Sequence, residues 1–264
     1  MTDPASRIAT YPRSLRERCR LLRLGPAPAL VVHPDGETPA PALLWLHGRT
    51  AYKELDSARY QRLVRAGVAT VAVDLPGHGE RADEALQAPL ALSALLVQAR
   101  RELDAILEAI PRALGPAIDL QRLAIGGMSA GGMIALRRLC DPHTFVAAAV
   151  EGTTGDFEAA SEGRYAEAVE AGLSPHEHLD GWRPIPFLAL HSEADRVVPF
   201  ASMRGFVERL AVHCRAAGSE VEIDLHSWEE TGAPEEHLGF GRRAADARKL
   251  HVEFLTRHLQ PGAV

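Results

Sequence analysis

The stretch Leu123-Ala-Ile-Gly-Gly-Met-Ser-Ala-Gly-Gly132 decides the fold. Its first residues form a short apolar run of strand type, and Met133 to Leu139 continue it with a helical pattern. Between them lies G-x-S-x-G, Gly127 to Gly131. A serine on a tight turn from strand to helix sits in strained backbone, and its neighbours two positions away must be small for the chains to pass. The following helix aims its first N–H groups at the turn and favours negative charge there. Ser129 is therefore the candidate nucleophile.

Working outward, short runs rich in Val, Ile and Leu alternate with longer segments of helical period, the pattern of a mainly parallel sheet with crossover helices. Strands are expected at residues 17–23, Ala29–His33, Leu43–His47, Val68–Asp74, Leu123–Gly127, Val146–Val150, Phe187–His191 and Val221–His226. Leu92, Leu95, Leu96, Ala99, Leu103, Ile106, Leu107 and Ile110 lie on one helical stripe, which predicts a helix over 91–110 ended by Pro111. Met203, Phe206, Val207, Leu210 and Cys214 mark a second such helix. Ala247, Leu250, Phe254 and Leu255 mark a third near the C-terminus. Residues 152–184 break the rhythm; polar, helix-prone and punctuated by Gly and Pro, they read as a small helical lid within a single domain spanning 1–264.

A serine hydroxyl needs a base within hydrogen-bond reach, itself held by a carboxylate. Nucleophile, acid, base is the chain order expected for such an elbow. Asp195 follows the strand Phe187–His191, where sites in open sheets collect; Glu193 is its rival, and a turn or capping role is the bland alternative for Asp195. His237 lies in the loop between the strand Val221–His226 and the last helix; His226 is the runner-up base. The loop after Leu43–His47 offers backbone donors for an oxyanion, Arg49 N–H joined by Ala130 N–H. His47, Thr50, Met128 and Trp182 are candidate pocket residues, with Phe157 beside them. The Arg49 guanidinium either clamps a substrate carboxylate, faces solvent or is paired with Glu54 or Asp56.

At 264 residues and 46% hydrophobic content the chain can bury one large core. The net charge of −6 comes with interspersed signs, so nucleic acid is not an expected partner. Three dispersed cysteines, no apolar leader at the N-terminus and no run of membrane length make a cytoplasmic protein the expectation, with no membrane partner. Asp74-Leu-Pro-Gly-His-Gly-Glu80 is a sharp turn and not a nucleotide signature. Neither a metal nor a cofactor is expected, and a homodimer is left open.

Taken together, His47-Gly48, Gly77-His78-Gly79, Gly127-x-Ser129-x-Gly131, Asp195 before Val-Val-Pro and His237 resemble the α/β-hydrolase superfamily over about residues 28–260. HGRTAYKE and GMSAGG are similar to bacterial dienelactone-hydrolase-like and prolyl-oligopeptidase-related esterases. The resemblance implies an eight-stranded, mostly parallel sheet, a metal-free Ser-His-Asp triad and acyl transfer to water. Ser129 stands where dienelactone hydrolase carries Cys, which speaks against that reaction, and the length leaves no room for a propeller. The expected activity is hydrolysis of small or medium acyl esters; an aminopeptidase, a thioesterase and a non-catalytic binding protein of the same fold are the alternatives.

Overall fold

A computed structural model describes residues 3–160 and 163–260. Eight strands form one sheet: β1 (Cys19–Leu24), β2 (Ala27–Val32), β3 (Ala40–Leu46), β4 (Ala69–Val73), β5 (Ile118–Met128), β6 (Ala147–Glu151), β7 (Phe187–Ser192) and β8 (Ile223–Trp228). Their spatial order is β1-β2-β4-β3-β5-β6-β7-β8. The first two pairings are antiparallel and every later one is parallel. This is the α/β-hydrolase fold. The strands β2, β3, β4, β6 and β7 are buried end to end and β5 is buried from Leu123 to Gly127, as a sheet covered on both faces requires.

Five long helices cover it: α1 (Ser57–Arg65), α2 (Leu92–Leu114), α3 (Ala130–Leu139), α4 (Phe200–Ala216) and α5 (Ala244–Leu259). Alternate strand residues feed two cores. Leu44, Leu46 and Val71 pack with α2, α3 and α4, whereas Leu43, Trp45 and Ala72 pack with α1, α5 and the N-terminal Tyr11 and Leu15.

The long helix α2 does not end at Pro111; it runs through that residue to Leu114 and stops at Gly115, whose φ is +53°. Proline removes one N–H, the one that would reach Leu107, and the buried Leu114 and Ile110 hold the last turn against the core. The segment 152–184 contains two short helices, Phe157–Ala160 and Ala166–Glu170, and a 3₁₀ turn at Pro175–Gly181; Ser161 and Glu162 within it lie outside the described residues. No helix among the described residues is long and apolar enough to cross a membrane.

Candidate active site

Ser129 caps α3 with φ +52° and ψ −119°, a left-handed backbone that a side-chain-bearing residue adopts only under constraint. The constraint is the close passage of three chains. A Cβ on Gly131 would stand 2.1 Å from the Leu46 carbonyl oxygen, and one on Gly127 would stand 2.5 Å from the Gly131 carbonyl carbon. The Ser129 N–H donates to the Glu151 carbonyl oxygen at 2.9 Å, tying the turn to the end of the neighbouring strand β6.

His237 Nε2 lies 2.9 Å from Ser129 Oγ, and its Nδ1 lies 2.8 Å from Asp195 Oδ2. The other Asp195 oxygen accepts the N–H groups of Val197 and Val198, each at 2.8 Å. Burial alone would raise the Asp195 carboxyl, but the His191 and His237 hydrogen bonds and the Val198 amide overcome it and hold the group at about 2. Glu193 faces elsewhere and accepts from Ser227 Oγ; His226 stacks edge-on with Trp228. Neither rival joins the cluster.

The loop that carries the base is strained in its own way. Glu235 and Glu236, immediately before His237, both have positive φ, +54° and +52°. Glu236 holds them there: its carboxylate accepts from the Thr231 N–H and hydroxyl, the Gly232 N–H and the Ser192 hydroxyl. The Thr231 amide bond leads the causes that keep this carboxyl at about 2. Sequence reading had no means to single out Glu236, because its partners come from two other segments.

On the opposite side of Ser129, a Cβ built at Gly48 would lie 3.5 Å from the Ser129 Cβ, so the loop 48–50 borders the nucleophile. Two neutral histidines brace it. His47 Nδ1–H donates to the Gly48 oxygen while its Nε2 accepts from the Leu75 N–H. His78 Nδ1–H donates to the Pro76 oxygen while its Nε2 accepts the Thr50 N–H. Burial lowers both, His47 to about 4. The N–H groups of Arg49 and Ala130 make no hydrogen bond among the described residues, which leaves both free for an incoming oxygen. The Arg49 side chain donates to the Gln87 oxygen at 2.7 Å. It pairs with neither Glu54, which Arg7 and Lys53 hold, nor Asp56, which Arg59 holds.

Ser129 and His237 line a cavity of about 500 Å³ together with Arg49, Thr50, Met128 and Tyr165. A second cavity of about 390 Å³ shares Gly48, Arg49, Thr50, Met128 and Leu238 with it and includes His47. Trp182, expected in the pocket, is not in either wall. It is buried in the core with its ring edge-on to Phe187 and Phe206. Phe157 is likewise buried, and it is the neighbouring Tyr165 that reaches the cavity. An aromatic in a polar segment carries no mark in the sequence of which way it turns.

Beneath the elbow, the Glu151 side chain receives both Arg59 terminal nitrogens at 2.8 and 2.7 Å, and His251 Nδ1 lies 3.0 Å away. Burial would raise this carboxyl; the Arg59 charge and the His251 contact bring it to about 2. Among the described residues Asp156, Glu158 and His176 bring ligand-type atoms within 4.8 Å of one another. Asp156 is already taken by Arg209 and the Ala159 N–H, which gives the group a structural explanation.

Comparison with known proteins gives the family and the fold. Residues 26–260 match the model of the Alpha/beta hydrolase family. Esterase YjfP of Escherichia coli (strain K12) is 28% identical over 195 residues, covering 67% of this chain and 78% of that protein. TT1662 from Thermus thermophilus has a similar structure, with a TM-score of 0.70 at 22% identity over 92% of this chain and 98% of that one. Pyrococcus horikoshii acylaminoacyl peptidase gives a TM-score of 0.71 at 20% identity over 92% of this chain, but this covers only 42% of the peptidase. At these identities the two structural likenesses speak for the fold alone.

Proposed function

Because the chain belongs to the alpha/beta hydrolase family, we propose that it is a serine carboxylesterase that cleaves small or medium acyl esters through an acyl-enzyme on Ser129. The observation that carries this reading is the continuous relay from Ser129 Oγ through His237 to Asp195, at 2.9 and 2.8 Å, on a backbone strained to present the hydroxyl.

In this mechanism Ser129 Oγ attacks the ester carbonyl carbon as His237 Nε2 takes its proton. Asp195, ionised at neutral pH, accepts the Nδ1–H and steadies the imidazolium. The carbonyl oxygen, now an anion, is held by the N–H groups of Arg49 and Ala130; one such donor contributes about 10²- to 10³-fold in rate. His237 returns the proton to the leaving alkoxide, and the alcohol departs. Water then repeats the sequence on the acyl-enzyme, releasing the carboxylic acid and restoring Ser129. The segment 152–184, which brings Arg164 and Tyr165 to the cavity wall, acts as the lid.

An ester rather than an amide is the substrate because the leaving alkoxide asks less of the general acid. The name of the E. coli relative points the same way. The test is hydrolysis of p-nitrophenyl esters from acetate to octanoate by wild type and by folded Ser129→Ala. Activity confined to the wild type supports the reading. Equal activity in both, or no activity and no fluorophosphonate label on Ser129, overturns it.

A further inference from the structure

We infer that the second cavity, reached past Met128, receives the acyl group of the ester, and that this group is an apolar chain of medium length. The inference rests on the esterase reading above. At about 390 Å³ the cavity has the size of a ligand site, and it adjoins the catalytic cavity through five shared residues.

Much of its lining is apolar, although five charged side chains, Arg49, Asp56, Arg59, Glu151 and Arg248, also stand in its wall. Trp45, Phe240 and Ala247 give it buried apolar surface. Arg59 is paired with both Glu151 and Asp56, and its guanidinium lies 4.2 Å from the centre of the Trp45 ring; Arg49 donates to the Gln87 oxygen, and Arg248 alone has a buried Nε without a partner among the described residues. A fully paired ion pair asks nothing ionic of a ligand. Leu55 and Leu238, 58% and 57% exposed, line it, Leu238 lining the catalytic cavity as well, where Leu90 is 98% exposed. Exposed apolar surface concentrated at a cavity rim is the mark of a site that covers it with ligand.

The direction of the ester follows from His237. Its Nε2 must deliver a proton to the leaving oxygen, so the leaving group stays beside it, and His237 lines the catalytic cavity only. The acyl carbon's own substituent takes the other way out, along Gly48 and Met128, which line both cavities. That passage is adjustable. The Met128 sulfur lies 3.0 Å from where a Cβ on Gly48 would stand, so a flexible thioether faces a residue with no side chain.

The experiment has two arms. In the first, wild type is reacted with p-nitrophenyl octylphosphonate and the adduct on Ser129 is crystallised. An octyl chain lying past Met128 against Trp45 and Phe240 supports the inference; a chain lying in the outer cavity towards Leu90 overturns it. In the second, Ala244→Trp narrows the chamber from the first residue of α5. The octanoate-to-acetate ratio of kcat/KM is expected to fall at least tenfold, with fluorophosphonate labelling of Ser129 reporting that the variant is folded. A ratio unchanged in the labelled variant overturns the inference while leaving the esterase reading standing. Failure of wild type itself to form an adduct removes the esterase reading and the chamber's role with it.

Discussion

Ser129 is tied by its backbone to Glu151: the serine N–H is bound to the Glu151 carbonyl oxygen at 2.9 Å, and the Glu151 side chain is in turn anchored by Arg59. The nucleophile's backbone is thus fastened to a buried ion pair. Arg59→Met leaves Glu151 as an uncompensated buried charge and is expected to cost about 3–5 kcal/mol in urea unfolding. Adding Glu151→Leu should recover much of that loss, since removing both charges together is often close to neutral. A single variant as stable as wild type would refute the account.

Asp195→Asn keeps the side-chain volume but leaves His237 without the carboxylate that selects its tautomer. We expect kcat for p-nitrophenyl acetate to fall about 10⁴-fold with the fold intact by circular dichroism. A drop of less than tenfold would remove Asp195 from the relay and return attention to the rest of the 193–198 loop.

Acid should weaken the protein in two stages. His47 is held at about 4 against 6.5 for the free side chain, so between these values the unfolded chain binds the proton more readily. Its contribution is complete above pH 6.5 and is lost as pH falls towards 4. Burial shifts His78 and His251 the same way. Asp195 and Glu151 sit at about 2 against 3.8 and 4.5; their contribution is complete above the unfolded values and is lost as pH falls towards 2. Urea midpoints measured from pH 8 to pH 3 should be level above about 6.5 and decline below. A flat profile down to pH 4.5 would contradict the histidine assignments.

Gly131→Ala should be disproportionately damaging for one added methyl. The new Cβ would meet the Leu46 oxygen at 2.1 Å and the His47 oxygen at 2.5 Å, both backbone atoms that cannot swing aside. Destabilisation of at least about 1–3 kcal/mol is expected, together with loss of fluorophosphonate labelling at Ser129. Unchanged labelling would show that the elbow tolerates the displacement.

The sheet was legible because β2, β3, β4, β6, β7 and the second half of β5 are buried and so read as largely apolar runs. The elbow was legible because steric necessity writes Gly127 and Gly131 at fixed offsets from Ser129. The placement of Asp195 and His237 after strand ends could be read from the alternation of elements. What could not be read depends on pairs distant in sequence. Arg59, Glu151 and His251 come from three separated elements, and Glu236 finds its partners in Ser192, Thr231 and Gly232. Trp182 was misassigned for a related reason: composition marks its segment as polar, but only the packing of Phe187 and Phe206 shows that the indole turns inward. Pro111 was given more weight as a helix breaker than the buried Leu114 beyond it allows.

The candidate base hangs from the margin of the sheet. Ser129 follows the interior strand β5, flanked on both sides, but His237 follows β8, which pairs with β7 alone and is only partly buried. Edge strands with little buried surface open at lower free energy than interior ones. Inactivation and unfolding are therefore separable events in this molecule: on warming, the His237 loop can drift out of register with Ser129 while the central strands and their helices still give a native circular dichroism signal, so the temperature at which half the activity is lost should lie below the melting temperature.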